Sequence, residues 1–198
     1  MSKHADAFNA LATEKGYQLS ANQPLPWLTP KAHTVPDVAA KLPKSVLDAL
    51  DRMLDALDGD RAVLAAKTRG HCRADFVLPD GREVEHDEVQ HFTSARLTTL
   101  GLYPPEIYLG FDLNEYRTWC EQWRDEGERG FAHKRATEFP GDGGRMRQRA
   151  FLDAFRDLAA PTFGNGPVLR IHAPENDATL ALKRFDRLIL TFTPRREP

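Results

Sequence analysis

The sequence predicts an α/β fold, and three observations carry that expectation. Residues 74–89 read as two short strands joined by a tight turn. Two stretches, from Ser45 and from Arg145, repeat apolar residues at helical spacing. Short runs over 61–67 and 188–192 read as further strands. At 198 residues the chain has room for a sizeable core. We divide it into an N-terminal helix with a proline-rich connector over 1–43 and a main domain over 44–198.

Taken in order, residues 5–19 place Phe8, Leu11 and Ala12 at helical spacing and end near Gly16. Residues 20–43 contain Pro24, Pro26, Pro30, Pro36 and Pro43, which predicts an extended surface connector anchored by Trp27. Ser45 is an N-cap residue for a helix whose stripe is Val46, Leu47, Leu50, Met53, Leu54 and Leu57, stopped by Gly59. Asp48, Asp51, Asp55 and Asp58 fall on its opposite face. Residues 61–67 are a short apolar run, read as a first strand. After the hairpin come a short helix over 93–102 and a helix over 113–125, capped at Asn114, with Tyr116, Trp119, Cys120 and Trp123 as its stripe. Residues 126–144 are rich in glycine and charge and predict a mobile loop. A helix over 145–159 then buries Met146, Phe151, Leu152, Phe155 and Leu158, with Arg149 and Asp153 at ion-pair spacing. Asn176-Asp177 caps a helix through Lys183, and residues 188–192 read as a closing strand.

The hairpin carries unusual chemistry. Glu83, Glu85 and Asp87 alternate along its second strand, so all three share one face. Like charges that close repel, and they need water or a cation between them. Register decides whether Asp75 joins them. A two-residue loop at Asp80-Gly81 pairs Asp75 with His86. A three-residue loop over 80–82 pairs Asp75 with Asp87 and makes Asp75 and Glu85 diagonal neighbours able to share an ion. The odd loop is the expectation. Such oxygen ligands with open positions suit Mg²⁺ or Mn²⁺ rather than Zn²⁺.

Asp75-Phe76, the turn, then Val84-Glu85-His86-Asp87 and Gln90-His91 resemble the nuclease motif of the very-short-patch-repair endonuclease-like branch of the PD-(D/E)XK superfamily. Uncharacterised bacterial domains of that branch run Asp-Phe, then Glu-x-Asp-Gly-x-Gln-His. This chain departs at Glu88, where the pattern has Gly, and lacks a Lys two residues after Glu85, as that branch generally does. The resemblance implies a restriction-endonuclease-like mixed central sheet flanked by helices, here with an N-terminal helical arm. It implies a metal-dependent nuclease acting on DNA, or on RNA. Asp75 and Glu85 would hold Mg²⁺ or Mn²⁺, with Asp87 a direct or water-mediated ligand. His91 would serve as general acid or base, and Gln90 would orient water or substrate. Arg73, with Lys67, Arg69 and His71, forms a basic lip ahead of Asp75. The resemblance also implies a last core strand after a basic helix, here 167–172 with Val168-Leu169-Arg170-Ile171, and Arg145 and Arg149 on that helix are the residues expected to contact phosphate. An upstream helix often supplies one further acid in such nucleases, which points to Asp51 or Asp55.

Composition sets bounds on these readings. A net charge of -2 gives no global sign of a nucleic-acid partner, so a nuclease would rely on local basic patches. Cys72 and Cys120 have no disulfide or zinc-finger spacing, which fits reduced thiols in a cytoplasmic protein. A zinc site from His71, Cys72, His91 and Cys120 would need ligands that diverge on a strand. No apolar run is long enough to span a bilayer, and no membrane role is expected. The alternative to catalysis is a nuclease-like fold retained to bind nucleic acid or a protein. The Glu88 departure and the acidic balance favour that reading.

Overall fold

The computed structural model describes residues 2–68, 70, 72–131 and 133–192, in which helices cover both faces of a four-stranded mixed sheet. Helix α1 (Lys3–Glu14) begins at Ser2, whose side chain accepts from the Ala5 N–H, and it buries Phe8 and Ala12. Strand β1 (Ser20–Pro24) comes next, and here the connector expectation is corrected: these residues pair antiparallel with β2 at the sheet edge. An edge strand with little buried surface has no need of an apolar alternation, and a terminal proline costs it no ladder bond. Trp27 does anchor the segment after it, stacking on Phe163 with ring centres 5.5 Å apart. A short helix, α2 (Pro36–Ala39), completes this region.

Helix α3 (Lys44–Ala56) buries Val46, Leu50, Met53 and Leu54 as their spacing predicts, although Pro43 rather than Ser45 stands at its N-cap. Residues 61–67 are not a strand: α4 (Arg61–Ala66) forms because the Asp60 carboxylate accepts from the Val63 N–H. The hairpin consists of β2 (Arg73–Val77) and β3 (Glu83–Asp87), paired Phe76 to Val84 and Val77 to Glu83. The loop has three residues, but they are 79–81. The Leu78 N–H donates to the Arg82 carbonyl at 2.9 Å, and Gly81 takes the positive φ of +86° that such a loop requires. The expected pairing is therefore two residues out. Continued towards Asp75, the observed pairing sets Asp75 opposite Glu85 rather than diagonal to it.

Helices α5 (Ser94–Leu100) and α6 (Leu113–Arg129) start at Thr93 and Asp112, the latter in place of Asn114. Part of the expected mobile loop belongs to α6, and the remainder is anchored by buried Phe131, Glu138 and Phe139. Helix α7 (Gly144–Phe163) leads to β4 (Leu169–His172), which runs parallel to β3, Glu85 beside Arg170 and Asp87 beside His172. The closing strand is absent: residues 188–192 continue α8 (Ala178–Phe192), whose buried Ala181, Phe185 and Leu188 keep helical spacing.

The sheet separates two apolar layers. Phe76, Val84, Leu169 and Ile171 pack with Phe8 of α1 and Phe185 of α8. The larger layer joins α3 to α7 through Leu50, Met53, Leu54, Phe151 and Phe155. The acidic face of β3 turns toward α7, and that orientation decides its chemistry.

Candidate active site

The sheet splits between β2 and β3 just beyond the Phe76–Val84 pair. At the split, carboxylates replace ladder bonds. The Asp75 N–H donates to Glu85 Oε1 at 3.1 Å, and the His86 N–H donates to Asp75 Oδ2 at 3.0 Å. Both strands keep their outer neighbours, β2 with β1 and β3 with β4. The fork is therefore held rigid from both sides while its centre opens.

Two small cavities meet at this fork and share Asp75, His91 and Arg149. One, of about 230 Å³, reaches Glu85, Arg145, Asp153 and Arg156. The other, of about 190 Å³, reaches Ser2, His86, Glu88 and Gln90. The structure thus brings Asp75, Glu85, Gln90, His91, Arg145 and Arg149 together around one cleft. A groove of about 630 Å³ beside α8 shares no lining residue with it.

His91 is clasped from both sides. Its Nδ1 lies 2.9 Å from Asp153 Oδ2, and its Nε2 lies 2.9 Å from Arg149 Nη1. A guanidinium can only donate, so Nε2 accepts and the imidazole proton sits on Nδ1, directed at Asp153. The expected Arg149–Asp153 pair meets through this histidine. Burial alone would raise the Asp153 carboxyl, yet His91 and Arg170 beside it hold it well below the usual carboxylate range. His91 is carried on a 3-10 turn over Val89–His91 that α6 approaches closely at Gly127. A Cβ there would lie 2.3 Å from the Phe92 carbonyl oxygen and 2.7 Å from that of Val89. Glu88, which replaces the expected Gly, has an ordinary extended backbone, and its carboxylate bonds Ser2 and Gln90. No glycine conformation is needed there.

Asp87 requires correction. It is fully buried, with Arg170 Nη1 on both carboxylate oxygens at 2.8 and 3.0 Å and the Tyr116 hydroxyl donating at 2.9 Å. Burial opposes ionisation, and Arg170 and His91 override it, lowering the Asp87 pKa. Arg170 also donates to Asp157 at 2.7 Å, and Asp157 in turn bonds Arg96 and Tyr103. Asp87 is thus the top of a buried ionic network beneath the cleft, with its lone pairs occupied. Arg73 is corrected too: its side chain donates to Asn22 across β1, away from the cleft. Of the basic lip, Lys67 pairs with Glu138, and Arg69 and His71 lie outside the described residues. Asp51 is engaged by His33 and Arg61, and neither it nor Asp55 lines the cleft.

The cations that settle the acidic strand face are guanidinium groups. Arg156 pairs with Glu85 and donates to the Arg73 carbonyl at 2.9 Å, as Arg170 pairs with Asp87. In this arrangement Asp75, Glu85 and Asp87 do not fit a shared metal ion. Among the described residues no group of three or more His, Cys, Asp or Glu is set to hold one, and His71 of the zinc arrangement lies outside them. Sequence reasoning missed Arg156, Asp153, Asp157, Arg96 and Arg170. Of these only Asp153 left a signal, through its ion-pair spacing from Arg149.

Residues 52–191 match the model of a family described as a family of unknown function (DUF7255), and the chain belongs to that family. No curated protein and no solved structure matches it. Among the described residues no helix is long and apolar enough to cross a membrane.

Proposed function

We propose that this DUF7255 protein is a nuclease of restriction-endonuclease-like fold that hydrolyses phosphodiester bonds of DNA or RNA at the β2–β3 fork. The observation that carries the reading is the convergence of Asp75 and Glu85 at the split with an oriented His91 and the arginines of α7. The mixed sheet with helices on both faces agrees with that fold in its class.

Arg145 and Arg149 are the groups to hold a phosphate, since guanidinium matches its oxygens in charge and geometry. Asp153 fixes His91 in the tautomer whose Nε2 lone pair faces the cleft, where Arg149 now donates to it. A phosphate that draws Arg149 to itself frees Nε2 to take a proton from an attacking water. Gln90 lies in the same cavity and can orient that water. If Mg²⁺ or Mn²⁺ takes part, Asp75 and Glu85 are the residues that would hold it, and it would supply water activation and charge to offset that on the scissile phosphate. Arg156 stands in the cation's place on Glu85.

A second reading has its own support. Both reactive groups are covered by guanidinium, Glu85 by Arg156 and His91 by Arg149, which suits a cleft that binds a nucleic acid or protein anion without cutting it. Incubating plasmid, single-stranded DNA and RNA with wild type and His91→Gln, with Mn²⁺, Mg²⁺ or chelator, separates the two. Metal-dependent cutting by wild type, lost in the variant, supports the nuclease. Binding by both proteins with cutting by neither supports the binding module.

A further inference from the structure

The acidic face of β3 holds three carboxylates, and two of them have their cation. Arg170 serves Asp87 and Arg156 serves Glu85. Glu83, only 3% exposed, has none: neither of its oxygens has a hydrogen-bond partner among the described residues. Arg156 and Arg170 act on it only through space. A buried carboxylate left without a donor is costly, and natural folds keep few of them.

Glu83 lines a separate cavity of about 360 Å³, together with Leu25, Trp27, Val77, Phe163 and Gly164. This cavity shares no lining residue with the cleft at the fork. Among the described residues no arginine, lysine or histidine lines it, and Glu83 is its one ionisable group. Lys41 lies over the Phe163 ring, 5.9 Å from its centre, and does not bond Glu83. Asn165 turns its amide away, to the Asp80 carbonyl at 2.7 Å. Gly164 keeps the approach to the acid open. A Cβ there would lie 3.0 Å from the Ala160 carbonyl oxygen, 3.5 Å from Glu83 Oε1 and 3.7 Å from the Gly166 carbonyl oxygen. Acceptors therefore surround that approach, beside an apolar wall in which Trp27 stacks on Phe163.

We propose that this cavity binds a small-molecule primary amine, its ammonium on Glu83 and its apolar body against Trp27 and Phe163. An ammonium carries three donors and no acceptor, which matches a carboxylate flanked by carbonyl oxygens. The bond is charge-assisted and sheltered from water, the setting in which such a pair is strongest. Walls of leucine, valine and aromatic rings suit a carbon chain and offer little to a hydrated metal ion. The volume falls within the range of small-ligand sites. The cost that Glu83 imposes on the fold fits a group kept for binding rather than for stability. The site is independent of the nuclease reading.

The test is calorimetric titration of phenylethylamine, and of its neutral counterpart phenylethanol, into the full chain as wild type and Glu83→Gln at about pH 8. There the amine remains protonated, and Glu83, pushed by burial up to about 7, is ionised. Wild type should bind the amine about 10–100-fold tighter than the alcohol, the scale of one charge-assisted hydrogen bond. Glu83→Gln keeps the shape of the acid and should bind the two probes alike. An amine preference that survives Glu83→Gln places the ammonium elsewhere and overturns the proposal. Equal binding of both probes by wild type overturns it too, since Glu83 then recognises no charge. Binding of neither probe overturns the site itself.

Discussion

Glu83→Gln should stabilise the protein at alkaline pH and hardly at all under acid conditions. Burial pushes the Glu83 carboxyl from 4.5 up to about 7, with Arg156 and Arg170 opposing and Asp157 adding to the rise. The folded state therefore holds this proton more tightly than the unfolded chain does. Its contribution is fully present below about pH 4.5 and is lost as pH rises through about 7. A rise of that size corresponds to roughly 3 kcal/mol, an order-of-magnitude figure. His33 and His172 act in the opposite sense, since burial holds both down at about 4, so their contribution grows as pH rises from about 4 to the ordinary histidine range. The wild-type curve sums these groups with the others that folding shifts, His86 among them, and only the difference between variant and wild type isolates Glu83. Urea unfolding of both proteins at pH 4.5, 6 and 8 supplies that difference. The gap in favour of Glu83→Gln should widen steadily and level off above about pH 7. Parallel curves for the two proteins would refute the claim that Glu83 is a buried, unpartnered acid.

The same geometry sets three further outcomes. Arg170→Met should cost about 3–5 kcal/mol in urea unfolding, because it leaves Asp87 and Asp157 buried without their shared cation; a loss below about 1 kcal/mol would show that Tyr116 and Arg96 suffice. Gly127→Ala should cost about 1–3 kcal/mol by forcing α6 away from the turn that carries His91, and a wild-type melting curve would contradict that close approach. Asp153→Asn should lower cleavage by roughly 10²–10⁴-fold with the fold retained, since its amide oxygen would face Arg170 and its NH2 would donate to His91 Nδ1, reversing the tautomer. An unchanged rate would mean that His91 needs no positioning.

Sequence patterns revealed some of this protein for physical reasons. The helices around Leu50 and Phe155 were legible because each buries one apolar stripe, and β4 because its place after a basic helix follows from the resemblance, although Arg170 and His172 alternate with Leu169 and Ile171 along it. β1 was not: Ser20-Ala21-Asn22-Gln23 is polar edge, and its membership comes from backbone pairing that no side chain announces. α4 and the end of α8 were misread because short apolar runs suit either helix or strand, and Asp60 and the Ala181–Phe185–Leu188 spacing decide between them. In the cleft, residues close in sequence were legible together, as Glu85, Gln90 and His91 are. Asp153, Arg156 and Arg170 act on them across at least 62 positions, the span from His91 to Asp153. That proximity exists only once α7 lies on the sheet. Asp87 illustrates the limit of periodicity, which places it on the correct face but cannot show that an arginine already occupies it.

Chemistry at the fork between β2 and β3 is the proposal on which the other functional roles depend. It is tested by cleavage of plasmid, single-stranded DNA and RNA with Mn²⁺ by wild type, Asp75→Asn and Glu85→Gln, each confirmed folded by circular dichroism. Wild type should cut, and both variants should lose at least about 100-fold, the scale of removing a group that acts in the transition state. Cutting that persists in both folded variants would place the chemistry elsewhere and contradict the proposal.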